Sequence, residues 1–288
     1  MALNTQLTDA AAKIVGDLNN GAGSARASLG GGAAFGWTTG LPRTIANYAT
    51  TVTSEGLSFP VYRVTESPTT PAKVVAPGAV KPAAAVITSG PVTLKKFAAY
   101  ASANLEDFLD AAGLAGAIGS VLAASSVKAF EGDAVAALDA GAAAAAVTGT
   151  DWVAAIAAAQ AEVLGHGGSP EVLVISKADY AGFVADVMAT SAFSQSPESP
   201  VGAVLGTAIH VSPAAPAGKA WLFDSSGVLC IQHQDSPLAL VDSLSQSLNN
   251  ITRLIVDLVA ATVVTNPSVV IEITAPVVAG TSSTSRRK

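Results

Sequence analysis

Four side chains have the chemistry to carry a proton or act as a nucleophile at neutral pH: the single cysteine, Cys230, and the three histidines, His166, His210 and His233. Cys230 and His233 are near enough in sequence to raise a thiolate–imidazole pair. They lie three residues apart in Val228-Leu-Cys-Ile-Gln-His233, which reads as a strand, and that spacing sends them to opposite faces. Such a pair also needs a third group to orient the imidazole. His166 sits in the turn Gly165-His-Gly-Gly168 and is expected in solvent. His210, in Leu205-Gly-Thr-Ala-Ile-His-Val-Ser212, is expected as a neutral, packed strand residue. One cysteine and three scattered histidines match no structural zinc spacing, so no metal is predicted.

The remaining chemical motifs fail for want of companions. Ser125-Ser-Val-Lys128 matches the Ser-x-x-Lys pattern of serine β-lactamases and penicillin-binding enzymes, but the Ser-Asp-Asn and Lys-Thr-Gly partners are missing. Gly21-Ala-Gly23 and Gly30-Gly-Gly32 carry no Lys-Ser/Thr and follow no strand, so they make no phosphate cradle. Glu106, Asp107 and Asp110 read as the solvated start of a helix, and Asn250-Ile-Thr252 is a glycosylation sequon only in form. No catalytic, cofactor-binding or metal-ligating residue is predicted, and no enzyme is expected.

Composition gives the first positive signal. Of the 288 residues 50% are hydrophobic and only 12% charged. The longest charge-free runs, between Asp110 and Lys128 and between Glu198 and Lys219, are broken by Gly113, Gly116 and Gly119 and by Pro200, Pro213 and Pro216. A spanning helix wants about 20 consecutive apolar residues, and neither run supplies them. The apolar surface must therefore be covered by the chain's own core or by other copies, which predicts extensive subunit contacts. A net charge of −6 argues against a nucleic-acid coat, because phosphate binding needs clustered Lys and Arg. The one basic cluster is Arg286-Arg-Lys288, after a Gly/Ser/Thr-rich stretch. A lone cysteine excludes an internal disulfide framework and fits a reducing compartment. The first residues have neither a basic nor an apolar region of a secretory signal, so assembly in a cytoplasm is expected.

Periodicity then orders the elements. Leu3, Leu7, Ala10, Ala11, Ile14 and Leu18 recur at helical spacing. Residues 21–60 are glycine-rich without a period and read as an extended arm rather than a packed element. Ser58-Phe-Pro-Val-Tyr-Arg-Val64 alternates like a strand. Residues 66–91, punctuated by Pro68, Pro71, Pro77, Pro82 and Pro91, form a long excursion of the sort that is functional or disordered. A strand over 92–100 precedes a helix that the sequence starts after Asn104, as N-cap, and carries to about Leu138. Asp151 is expected to cap a helix through Trp152, Ile156 and Val163 that stops at Gly165-His-Gly-Gly168. A strand over 171–176, a helix from Asp179, strands over 205–212, 219–224 and 228–233, and closing runs 251–264 and 269–274 complete an α+β pattern.

The order of these segments resembles the major capsid protein of tailed bacteriophages, the family with the HK97-type fold. Asn104-Leu-Glu-Asp-Phe-Leu-Asp110 is similar to the family's lead into its spine helix. Ser169-Pro-Glu-Val-Leu-Val-Ile-Ser-Lys-Ala-Asp-Tyr180 resembles its strand, Pro/Ala-Asp, helix element. Val204-Leu-Gly-Thr-Ala-Ile-His-Val-Ser-Pro213, Ala217-Gly-Lys-Ala-Trp-Leu-Phe-Asp224 and Asn249-Asn-Ile-Thr-Arg-Leu-Ile-Val-Asp257 are similar to strands that follow, and Pro267-Ser-Val-Val270 to the closing one. The likeness covers roughly residues 60–275. It implies an N-terminal arm over 1–60, an extended β-hairpin loop over 61–96, a peripheral domain with the spine helix over 97–148, and an axial α/β domain over 149–240. Return strands and the final strand would fill 241–275, and 276–288 would be a flexible tail.

That resemblance implies a structural subunit of an icosahedral virion head, self-assembling into pentamers and hexamers around double-stranded DNA, with no cofactor. No scaffolding extension precedes the arm, so a separate scaffolding protein is expected, with a portal and a decoration protein as further partners and DNA contacted non-specifically at most. Some relatives cross-link a loop lysine to a distant asparagine; Lys73, Lys81, Asn249 and Asn250 are the residues in reach of such a scheme, and no motif singles out a pair. An encapsulin-type nanocompartment shell shares the fold and is the alternative. A soluble enzyme or ligand-binding protein with the Pro-rich loop as lid is the alternative of another class.

Overall fold

A computed structural model describes residues 43–66, 85–104, 114–143, 146–190, 193–194, 203–204, 206–242 and 251–276. The chain divides into two units, Met1–Gly141 with Ser225–Pro267 and Ala142–Asp224 with Ser268–Lys288. In the first lie strands β1 (Thr50–Ser54), β2 (Ser58–Glu66), β3 (Ala85–Thr93) and β4 (Lys95–Asn104), then helix α1 (Leu114–Gly141). After the excursion through the second unit come β10 (Val228–His233), β11 (Leu238–Asp242) and β12 (Ile251–Val264). The second unit holds α2 (Trp152–Gly165), β5 (Val172–Ser176), α3 (Tyr180–Thr190), the short pair β6 (Phe193–Ser194) and β7 (Ala203–Val204), then β8 (Ala208–Ser212), β9 (Lys219–Phe223) and β13 (Val270–Thr274).

β12 organises the first unit. Its β-branched sequence suits a long strand, and β4 runs antiparallel along it from Ile251↔Asn104 to Ala260↔Lys95. Ala260 also pairs with Gln232, and Asp257 with Leu238. A strand residue has one neighbour on each side, so β10 and β11 follow one another along the side of β12 opposite β4. β1 adds to β10 in parallel. Across this sheet lies α1, about 42 Å long at 1.5 Å per residue. Leu122, Ser126, Phe130, Ala134 and Leu138 make one buried stripe, with Ala123, Val127, Glu131 and Val135 beside it. Phe97 meets Phe130 edge to face at 5.7 Å, and Lys95 of β4 ion-pairs with Asp133 of α1.

The second unit is a sheet in the order β13-β9-β5-β8, with only β5 and β8 parallel. β5 is buried at every residue, as an interior strand covered on both faces must be. α2 and α3 pack on it through Trp152, Ile156, Val163, Phe183 and Val187. Asp151 accepts the Ala154 N–H at 2.8 Å and so caps α2 as expected. The helix stops in a Schellman turn: Gly168 N–H bonds Val163 O at 3.0 Å and Gly167 N–H bonds Leu164 O at 2.9 Å. Gly167 supplies the required positive φ of 77°.

Several expectations need correction. Residues 44–54 do not belong to an unpacked arm: Thr44, Ile45 and Ala46 are buried and β1 is laddered to β10. Run 92–100 is two strands, broken where Leu94 turns into the core. The Pro-rich excursion contains β3 from Ala85 onward, paired antiparallel with β2, which agrees with the β-hairpin expected there and departs only from a reading of 66–91 without regular structure. The stretch 149–240 is not one domain, because β10 and β11 pair with β12 and stay with the first unit, whereas β13 leaves the return strands to pair with β9. Asn104 ends β4, and the helix start expected just after it lies outside the described residues. So do the helix expected over 3–18, the glycine clusters, Lys73, Lys81, Asn249, Asn250 and the tail.

Candidate assembly surface

The residues with catalytic potential stay apart. Cys230 is fully buried on β10, its Sγ 3.4 Å from Thr262 Oγ1. Burial pushes the thiol up to about 12, against the opposing effect of the Thr262 hydrogen bond and with a smaller upward push from the charge of Glu131. His233 Nδ1 accepts the Asp235 N–H at 3.2 Å, which leaves Nε2 as the donor to Glu55 O at 3.1 Å. The ring is a brace between two loops. His166 is the C-cap residue of α2 and His210 is buried on β8 opposite Val174. In the Ser-x-x-Lys match, Ser125 and Lys128 are exposed, whereas Ser126 is buried and donates to Val256 O at 3.4 Å. Among the described residues no group of three or more His, Cys, Asp or Glu could hold a metal. No described helix is long and apolar enough to cross a membrane.

What the structure does present is apolar surface on strands. β2 and β3 form a two-stranded antiparallel ribbon from Ser58↔Thr93 to Glu66↔Ala85. At its root one face packs into the sheet, Phe59, Val61 and Val92 meeting Leu94, Ile231, Ala261 and Val263. The opposite face is open: Tyr62 is 66% exposed and Ile87 68%, with Val64 directly across from Ile87. Beyond the root, Val86 is exposed on the other face as well.

Two prolines face one another in this ribbon, Pro60↔Pro91. Alternate pairs in an antiparallel ladder exchange no hydrogen bonds and turn their N–H groups outward. The Val64 N–H bonds Thr265 O at 3.0 Å, outside the ribbon, so positions 60, 62 and 64 are the outward set. Both prolines therefore stand where no ladder bond is lost.

A second open area lies on the sheet face opposite α1. Directly paired residues share a face, so Leu240, Ile255 and Tyr100 make a row across β11, β12 and β4. Tyr100 is 67% exposed, Leu238 and Leu240 are exposed as well, and the Arg253 guanidinium carbon sits 5.8 Å from the Tyr100 ring centre. On the same face Lys96 pairs with buried Asp257 at 2.6 Å.

No protein-family profile and no curated protein matches this sequence. Solved structures do match. The capsid protein of a native GTA particle aligns with TM-score 0.57 at 13% identity, over 88% of this chain and 99% of that one. The capsid structure of cyanophage P-SCSP1u aligns with TM-score 0.55 at 16% identity, over 91% and 94%. The chain has the HK97-type capsid fold. A virus-like particle from Pyrococcus furiosus is similar too, with TM-score 0.55 at 13% identity, over 80% of this chain and 92% of that one. Identities this low explain why the HK97-type fold leaves only dispersed motifs in the sequence: the order and pairing of elements persist while most side chains differ. Sequence reasoning singled out none of Tyr62, Ile87, Tyr100 or Leu240. Alternation over 58–64 was the one signal available, and it gives the strand without saying that its second face stays uncovered.

Proposed function

We propose that this chain is the structural subunit of an icosahedral phage head, assembling as pentamers and hexamers around double-stranded DNA. The observation that carries the reading is the ribbon of β2 and β3 on an HK97-type fold. A two-stranded ribbon is marginal by itself in water, and Tyr62, Val64, Val86 and Ile87 leave apolar surface that neighbouring copies would cover. Heterologous contacts of this kind close into rings when the rotation allows it. In this reading the ribbon is the extended loop, the unit built on β12 and α1 the peripheral domain, and the unit built on β5 the axial domain. The function is mechanical and asks for no active site. A net charge of −6 suits a wall that touches packaged DNA only non-specifically. Scaffolding, portal and decoration proteins would be separate partners.

The likeness to the Pyrococcus furiosus virus-like particle supports a second reading, a nanocompartment shell. Both readings predict the same first result. The full chain expressed alone, examined by negative-stain electron microscopy and sedimentation velocity, gives closed shells or free pentamers and hexamers. A stable monomer or dimer at high concentration overturns both. Particles purified from the native source then separate the two: packaged double-stranded DNA supports the phage head, and a folded protein cargo without DNA supports the nanocompartment.

A further inference from the structure

Glu131 is a carboxylate in a core. It lies on α1 with 3% of its surface exposed, beside Phe130, Val127, Ala134 and Val135. A charge in such a place is costly unless hydrogen-bonded. Its Oε2 accepts the backbone N–H of Ile45 at 2.9 Å, from a residue 86 positions earlier in the chain. Ile45 is held from its own side too: Thr44 N–H donates to Asn47 Oδ1 at 2.8 Å, and the Tyr48 and Ala49 N–H groups both bond Ile45 O at 3.0 Å. Thr44, Ile45 and Ala46 are buried, while Arg43 just before them is exposed. A few residues later β1 joins the sheet beside β10. The charge of Glu131 also acts on Cys230 of β10.

We propose that Glu131 is the latch that fastens residues 44–54 to the α1–β12 body. The carboxylate fits this task because an ionised acceptor makes a stronger bond to an amide than a neutral one. Leaving it would take the Ile45 N–H away from a charged acceptor inside the core, which holds residues 44–54 against α1. The inference concerns a single chain and stands whether or not the shell reading holds.

Hydrogen exchange read by mass spectrometry on the purified full chain tests it, in whatever assembly state the protein takes. In Glu131→Ala, amides of residues 45–49 exchange about tenfold faster or more than in the native chain, and trypsin newly cuts after Arg43, with amides of β12 unchanged. Unchanged protection at residues 45–49 overturns the proposal, and so does an equal rise in β12, which would mean general loosening. If Glu131→Ala yields no folded protein, Glu131→Gln decides. It keeps an acceptor oxygen without the charge, so a smaller acceleration confined to residues 45–49 supports the latch, and native protection there overturns it.

Discussion

Cys230 offers the cleanest residue-level test, because the chain has one thiol and its environment is closed. The folded thiol is pushed up to about 12 from an ordinary value of 9.0. Between those two pH values the unfolded chain gives up a proton that the folded chain keeps. Stability from burying the neutral thiol is therefore complete below pH 9.0 and drains away as pH rises toward about 12. Cys230→Ala should show a shallower fall in Tm than the native chain over that alkaline range, and the native thiol should resist maleimide at neutral pH, since the thiolate is the reacting form. Equal alkaline slopes in the two proteins would contradict the burial argument. That Cys230 and His233 would face apart was readable from strand periodicity alone. The role of Glu131 was not: in Lys128-Ala-Phe-Glu-Gly-Asp133 it looks like one more solvated charge, and its partner lies 86 residues away.

Among elements, the packing of α1 on β4 and β12 can be probed by single substitutions. Phe130 is fully buried and edge-on to Phe97, so Phe130→Ala should cost about 3–5 kcal/mol in a denaturant titration. At the helix end, a Cβ added to Gly141 would lie 2.6 Å from Val264 Cβ. Gly141→Ala should lose about 1–3 kcal/mol through that clash, and Val264→Ala in the same chain should return part of it; a purely additive double variant would refute the contact. The second unit was largely legible because its signals are local: Asp151 as cap, Gly167 as stop, an apolar run for β5. The first unit was harder, since β1, β11 and the second arm of the ribbon are strands only through partners far off in sequence. Thr50–Ser54 carries no apolar alternation, and Pro91 argues against a strand until Pro60 is found opposite it.

For the molecule as a whole, a chain of low charge with apolar strand surface should associate through burial rather than ion pairing. The double variant Tyr62→Ser with Ile87→Ser alters two side chains on the open face of the ribbon, so it should keep the native circular dichroism and lose about 1 kcal/mol or less of fold stability. In the proposed shell it should nevertheless halt growth at small species in sedimentation velocity. Full-size particles from that variant would remove the ribbon from the assembly contacts. The facing prolines carry a last consequence. At their level both outer rims of the ribbon lack a backbone donor, so an incoming strand cannot zip past them into a continuous cross-strand stack. Contacts made there must rest on side chains, which separate more readily than a growing ladder. In the proposed shell, a misplaced copy held this way would come off and rebind, so the facing prolines would favour correction of errors over irreversible strand stacking.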